Sequence, residues 1–299
     1  MFTVSDLDNA GHRGSSRVRY MRFLAVVLSL LVPAVDGVGG LTWSTGLLDS
    51  HLLITWYGNP HSPRMGVLGQ SSGQARANAL RKQAAAYAHA TTKEILLAYH
   101  LVAVVAQCTP CSDNTWRRRE SAEVISGLLV EARANGFKLI LDVQPGRSTI
   151  QAELQHLRPF LAEPDVYLAL DPEFDMGEGQ VPGRELGHMH AADVNAAVEF
   201  LESLVVSGGL PPKVLIVHQF TLGMLPDKEK IRSSAVVDLV LDMDGFGSQS
   251  LKRASYRAVM RQWKLDFAGI KLFYSQDTNL FSPEQVMSLN PVPSVIIFQ

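Results

Sequence analysis

The chain contains only two cysteines, so neither a disulfide framework nor a four-cysteine zinc site can hold it together. These two, Cys108 and Cys111, form Cys-Thr-Pro-Cys in a proline-containing loop after a strand. That setting predicts one local disulfide stiffening the loop. A surplus of charge is also missing. Lys and Arg number 27 against 29 Asp and Glu, with no basic stripe, which argues against nucleic acid as a partner. The basic cluster Arg117-Arg118-Arg119 precedes an amphipathic helix pattern and reads as its solvated entry. No glycine-rich turn follows the first strand pattern, which counts against a dinucleotide-binding sheet. No low-complexity linker divides the chain after its N-terminal segment.

The N-terminal segment has the order of a secretory signal. Arg17, Arg19 and Arg22 precede an apolar run over residues 23–32, then Ala34, Gly37, Gly39 and Gly40. That run is too short to span a bilayer comfortably. Met21 offers a second, more ordinary start. The reading is a signal peptide over 1–37, a secreted or extracytoplasmic product, and one catalytic domain over 38–299. It expects a monomer with no stable membrane insertion. The mature part matches the ~250 residues typical of one (β/α)₈ barrel.

Eight continuous Val, Ile and Leu runs read as strands of a helix-covered parallel sheet, at 52–57, 95–102, 138–142, 166–171, 213–218, 236–242, 270–274 and 295–298. Helical patterns alternate with them at 74–89, 121–134, 150–161, 191–206, 251–263 and 283–289. Asn135-Gly136 reads as a helix stop and Ser282 before Pro283 as an N-cap. The interval between strands five and six has room for no more than a turn around residues 227–231. Alternation through eight strands predicts a single α/β domain, a (β/α)₈ TIM barrel with its last helix missing. The segment at 41–48, containing Trp43, is expected to cover that gap or plug the barrel bottom.

Three of these strands end in Leu-Asp-x-polar: Asp142 with Gln144, Asp171 with Glu173, and Asp242 with Asp244. Side chains two apart on a strand share a face, so each pair would point into the barrel at its C-terminal mouth. The other strand ends add Trp56, Tyr57 and Asn59, then His100, His218 and Gln219, then Tyr274, Gln276 and Asp277. Lys138, Lys213 and Lys271 are placed at strand beginnings, on the bottom rim. His188 and His190 read as residues of a glycine-rich loop.

Asp171-Pro172-Glu173 is the sharpest element. Pro172 biases Asp171 toward extended backbone, which would keep both carboxylates on one side of the strand line. Two close acids cannot both ionise freely, so Glu173 is the expected proton donor and Asp171 its tuning neighbour. An Asp-x-Glu at the end of strand four resembles the site of secreted TIM-barrel glycoside hydrolases, including chitinase-like and lysozyme-like families. The resemblance implies glycosidic bond cleavage with Glu173 as general acid, Asp171 assisting, and no cofactor. The longer chitinase signature is absent, because Tyr167 and Ala169 occupy its inward positions. A second carboxylate is needed, for which Asp277 and Asp242 are the candidates. Substrate contacts fall to Trp56, Tyr57, Asn59, His100, Asp142, Gln144, His218, Gln219, Asp244, Tyr274 and Gln276. The expected partner is carbohydrate or another polar small molecule or polymer. Two alternatives use the same ring: a metal-dependent phosphodiester or amide hydrolase with His100, His218, Asp142, Asp171, Glu173 and Asp242 as donors, and a sugar-binding barrel without turnover.

Overall fold

The computed structural model of the protein describes residues 46–261, 263 and 266–299. The expected signal segment and Trp43 lie outside the described residues. The described residues cluster as one compact unit.

The strands are β1 (His51–Gly58), β2 (Glu94–Ala106), β3 (Arg117–Arg119), β4 (Lys138–Val143), β5 (Val166–Leu170), β6 (Lys213–Gln219), β7 (Val237–Met243), β8 (Phe267–Leu272) and β9 (Val295–Phe298). All but β3 are parallel, and β1 pairs with both β2 and β9, which closes an eight-stranded barrel. The helices are α1 (Leu47–Ser50), α2 (Gly73–Ala85), α3 (Ala122–Ala134), α4 (Ile150–Leu161), α5 (Ala191–Gly208), α6 (Gln249–Arg261) and α7 (Pro283–Met287). Between β6 and β7 the helix is replaced by two 3₁₀ turns, Leu222–Met224 and Lys228–Lys230. Among the described residues no helix follows β9. The fold is a (β/α)₈ barrel lacking its last helix.

Local chemistry explains the helix boundaries. Ser121, Thr149 and Ser282 accept hydrogen bonds from Val124, Ala152 and Gln285 backbone N–H groups. Gln285 returns a bond to the Ser282 N–H, completing a capping box. Helix α5 stops at Gly209, whose φ of 58° is a left-handed conformation that favours glycine.

The alternation also holds. Leu139, Leu141, Leu168, Leu170, Leu239 and Leu241 pack outward into the helix layer. Ile140, Tyr167, Ala169, Val214, Ile216, Val240 and Ile297 fill the barrel interior. Leu48 of α1 is wholly buried in that inner cluster, and its N–H donates to Asp238 Oδ2 at 2.8 Å. The segment before β1 therefore plugs the barrel bottom.

Two expectations change. Arg117-Arg118-Arg119, read as the solvated entry to a helix, forms β3 instead, antiparallel to the overhanging end of β2 at Val104–Ala106. Arg117 and Arg119 then both reach the buried carboxylate of Glu153 on α4, at 2.9 and 2.7 Å. The expected disulfide is absent: Cys108 and Cys111 are both free thiols, and Cys111 Sγ donates to the Arg117 carbonyl at 2.9 Å. That bond ties Cys111 to β3, while Cys108 is exposed.

Candidate metal centre and the cavity above it

Three inward positions on neighbouring parts of the barrel bring His100, Asp142 and His218 together. His100 comes from β2, Asp142 from β4 and His218 from β6, and all three are fully buried. One donor atom from each lies within 4.8 Å of the other two. His100 Nε2 and His218 Nε2 are each 3.9 Å from Asp142 Oδ2, too far for hydrogen bonds. Two donors at ~2.1 Å from a common ion, at a tetrahedral angle, lie about 3.4 Å apart, so small inward shifts would let the trio share one.

The partners of these atoms are informative. Both ring nitrogens of His100, both carboxylate oxygens of Asp142 and Nε2 of His218 have no hydrogen-bond partner among the described residues, although the Tyr57 hydroxyl stands near enough to Asp142 to favour its charged form. Buried polar atoms are nearly always paired, and each unpaired one costs about 1–3 kcal/mol. His218 is different on its other side. Its Nδ1 lies 2.9 Å from Asp242 Oδ2, with register pairing His218 and Asp242 on β6 and β7. An imidazole held through one nitrogen by a carboxylate, with the other nitrogen aimed at a shared point, is the arrangement that orients metal-ligating histidines.

Electrostatics agree with this geometry. Burial, His218 and Lys271 hold His100 well below the ordinary histidine pKa, so it is a neutral imidazole. Burial raises Asp142, and the neighbouring Asp171 carboxylate adds to the rise. For His218, burial and Lys271 oppose protonation, but the Asp242 hydrogen bond and the Asp142 charge outweigh them and lift its pKa to about 9. In the absence of an ion, a second proton on His218 offsets part of the crowded negative charge.

Above the trio opens a cavity of about 680 Å³. Tyr57, Gln144, Asp171, Glu173, Asp244 and Lys271 supply its polar surface, with Gln276 and Gln299 nearer the rim. Tyr57 is the divider. Its ring lies edge-on to His100 at 5.0 Å and to His218 at 6.1 Å, while its hydroxyl accepts from Gln144 Nε2 at 3.4 Å. Gln144 also donates to Asp171 Oδ2 at 3.0 Å. Burial, Asp171 and Asp244 raise Glu173, and burial is the main cause of the raised Asp244.

Other candidates from the sequence lie elsewhere. Trp56 packs in the outer helix layer. Asn59 donates to the Val102 carbonyl and to Glu120, holding a loop. Gln219 is tied to Thr221 and receives Lys228 Nζ at 2.9 Å. Tyr274 stacks on Phe298 and donates to Gln83. Asp277, expected as a distant catalytic carboxylate, pairs with Lys252 at 3.0 Å and accepts from Gly247 and Phe273 N–H groups. It staples a loop.

The glycoside hydrolase reading is overturned on two grounds. Strand β5 ends at Leu170, and Pro172–Phe174 is a 3₁₀ turn with Asp171 as its N-cap. Asp171 and Glu173 therefore do not continue one extended strand. The deepest chemistry in the barrel is a His/Asp/His group, which a carboxylate-only mechanism leaves without a role.

Lys271 was missed. Placed by the sequence on the bottom rim, it emerges at the mouth because β8 begins at Phe267, and its Nζ stands 3.5 Å over the Tyr57 ring. The same phase rule that gave the aspartates would have found it. The phenylalanines of the cavity, Phe174, Phe220, Phe246 and Phe273, were also missed, because they follow the strand ends in loops. Compared with known protein families and with curated proteins, the chain matches none.

Proposed function

We propose that the protein is a metal-dependent hydrolase in which His100, Asp142 and His218 hold one divalent ion. Two imidazoles and a carboxylate favour zinc, iron or manganese over magnesium or calcium. The carrying observation is that one buried donor atom from each of three strands, none with a hydrogen-bond partner among the described residues, converges on one point. An ion there would satisfy them and balance the Asp142 and Asp242 carboxylates. It would supply Lewis acidity for hydrolysis of an amide or a phosphodiester.

The remaining residues have separate parts in this reading. Asp242 fixes the His218 ring, so that Nε2 faces the ion. Tyr57 separates the trio from the cavity, so access to the ion runs through displacement of that side chain. Glu173, whose raised pKa keeps it protonated near neutrality, is placed to give a proton to a leaving group.

The test is metal content and turnover together. Chelator-treated protein is titrated with zinc, manganese or magnesium ions, then assayed on chromogenic amides and phosphodiesters. Binding of about one ion per chain, turnover restored by that ion, and loss of both in His100→Ala are expected. Wild-type protein that takes up none of these ions would overturn the assignment.

A further inference from the structure

The cavity above the trio has a composition that separates the two reaction classes left open. Its ionisable lining is three carboxyl groups, Asp171, Glu173 and Asp244, against one ammonium, Lys271, and of the three Glu173 is the one held protonated near neutrality. An ion on the trio would balance Asp142 and Asp242, and so would not offset these three. Asp171 is 2 % exposed and Asp244 6 %, and one carboxylate oxygen of each has no hydrogen-bond partner among the described residues. Both residues line the cavity. The single opposing cation, Lys271, lies at the floor with its Nζ 3.5 Å over the Tyr57 ring. Around these groups stand Phe174, Phe220, Phe246 and Phe273. Phe246 and Phe273 meet edge to face at 5.7 Å.

An anion entering this space would meet the unpartnered carboxyl oxygens of Asp171 and Asp244, which argues against a phosphodiester. A cation would meet carboxylate oxygens lacking partners and aromatic surfaces that attract positive charge. The volume, about 680 Å³, is that of a site for a drug-sized molecule, not an inorganic ion.

We infer that the substrate has an apolar body carrying a positively charged amine, seated against Asp171 and Asp244 among the cavity phenylalanines. The bond cleaved is then an amide close to that amine. Water adds to the carbonyl carbon, the carbon–nitrogen bond breaks, and the leaving nitrogen takes a proton. The inference rests on the hydrolase reading in calling this ligand a substrate and in the amide bond assigned to it.

Three isosteric probes test it by calorimetric titration of the full chain near neutral pH: phenylethylammonium, the corresponding alcohol, and phenylacetate. The ammonium is expected to bind at least about tenfold tighter than the alcohol, with phenylacetate weakest. Equal binding of ammonium and alcohol, or tighter binding of phenylacetate, would overturn the inference. Asp244→Asn should reduce the ammonium preference severalfold, while the wild-type comparison decides the matter even if that variant folds poorly. Each titration is run with chelator and with zinc. A lasting ammonium preference in a protein that binds no metal would sink the hydrolase reading alone. Metal binding without the preference would sink the amine inference alone.

Discussion

His218 and Asp242 form the shortest link between the barrel wall and the candidate metal centre. Nδ1 of the imidazole lies 2.9 Å from Oδ2 of the carboxylate, and both side chains are fully buried. This pair fixes which nitrogen faces Asp142. Asp242→Asn keeps the shape but removes the charge, and metal affinity should fall by about 10–100-fold. Calorimetry with zinc on both proteins measures this; equal affinity would mean that Asp242 does not orient the ligand.

Metal removal should be visible in stability. A ligand present at 100 times its Kd stabilises by about 2.7 kcal/mol, which for a domain of this size moves Tm by roughly 5–10 °C. Thermal unfolding of chelated and zinc-supplemented protein should differ by that amount. The difference should vanish in His100→Ala, because the ion loses one of its three protein donors.

Glu153 tests a structural ion pair away from the site. Its side chain is fully buried and accepts from Arg117, Arg119 and Ser148. Burial alone would raise its pKa, but Arg119, Ser148 and Arg117 outweigh it and hold the group low. The folded value is therefore below the unfolded one, near ~4.3. The pairing contributes fully above that pH and is lost as pH falls through the depressed folded value. Glu153→Gln should cost about 3 kcal/mol at neutral pH, and the gap between variant and wild type should shrink on acidification below about pH 4. Urea unfolding at several pH values reads both.

Gly269 sits inside β8 where the Asp242 side chain crosses. A methyl group added there would stand 2.7 Å from Asp242 Oδ1 and 3.2 Å from Val240 Cγ1. Gly269→Ala should destabilise by about 1–3 kcal/mol through overpacking. It should also weaken zinc binding, because Asp242 must move and carries His218 with it. Unchanged stability and unchanged affinity would show that the strand yields without disturbing the carboxylate.

The barrel was legible because its strands are apolar on both faces and its helices carry ordinary caps. The inward phase of Asp142 and Asp242 followed from period-two alternation, which the closed sheet preserves. Reading failed where that period stops. Asp171 lies one residue past β5, and Pro172 turns the chain into a 3₁₀ turn, so extending the strand to Glu173 misjudged the pair. The apolar run was placed at 270–274, whereas β8 runs Phe267–Leu272, which reversed the placement of Lys271. The sequence named His100, Asp142 and His218 as donors without bringing them together, because their convergence depends on barrel closure. Cys108 and Cys111 misled through spacing alone: adjacency along the chain does not supply the side-chain geometry a disulfide needs.

Strand β3 has a consequence for how copies of the molecule meet. A closed barrel has no free edge, but β3 is added to the overhang of β2 and ends the sheet order there. An unpaired strand edge is a template for another chain. Here that edge is three residues long and consists of Arg117, Arg118 and Arg119. Arg117 and Arg119 are turned to Glu153, so a second molecule docking by strand addition would bring the exposed Arg118 guanidinium against its own counterpart. The feature that reopens the sheet thus carries the charge that keeps edge-to-edge aggregation in check.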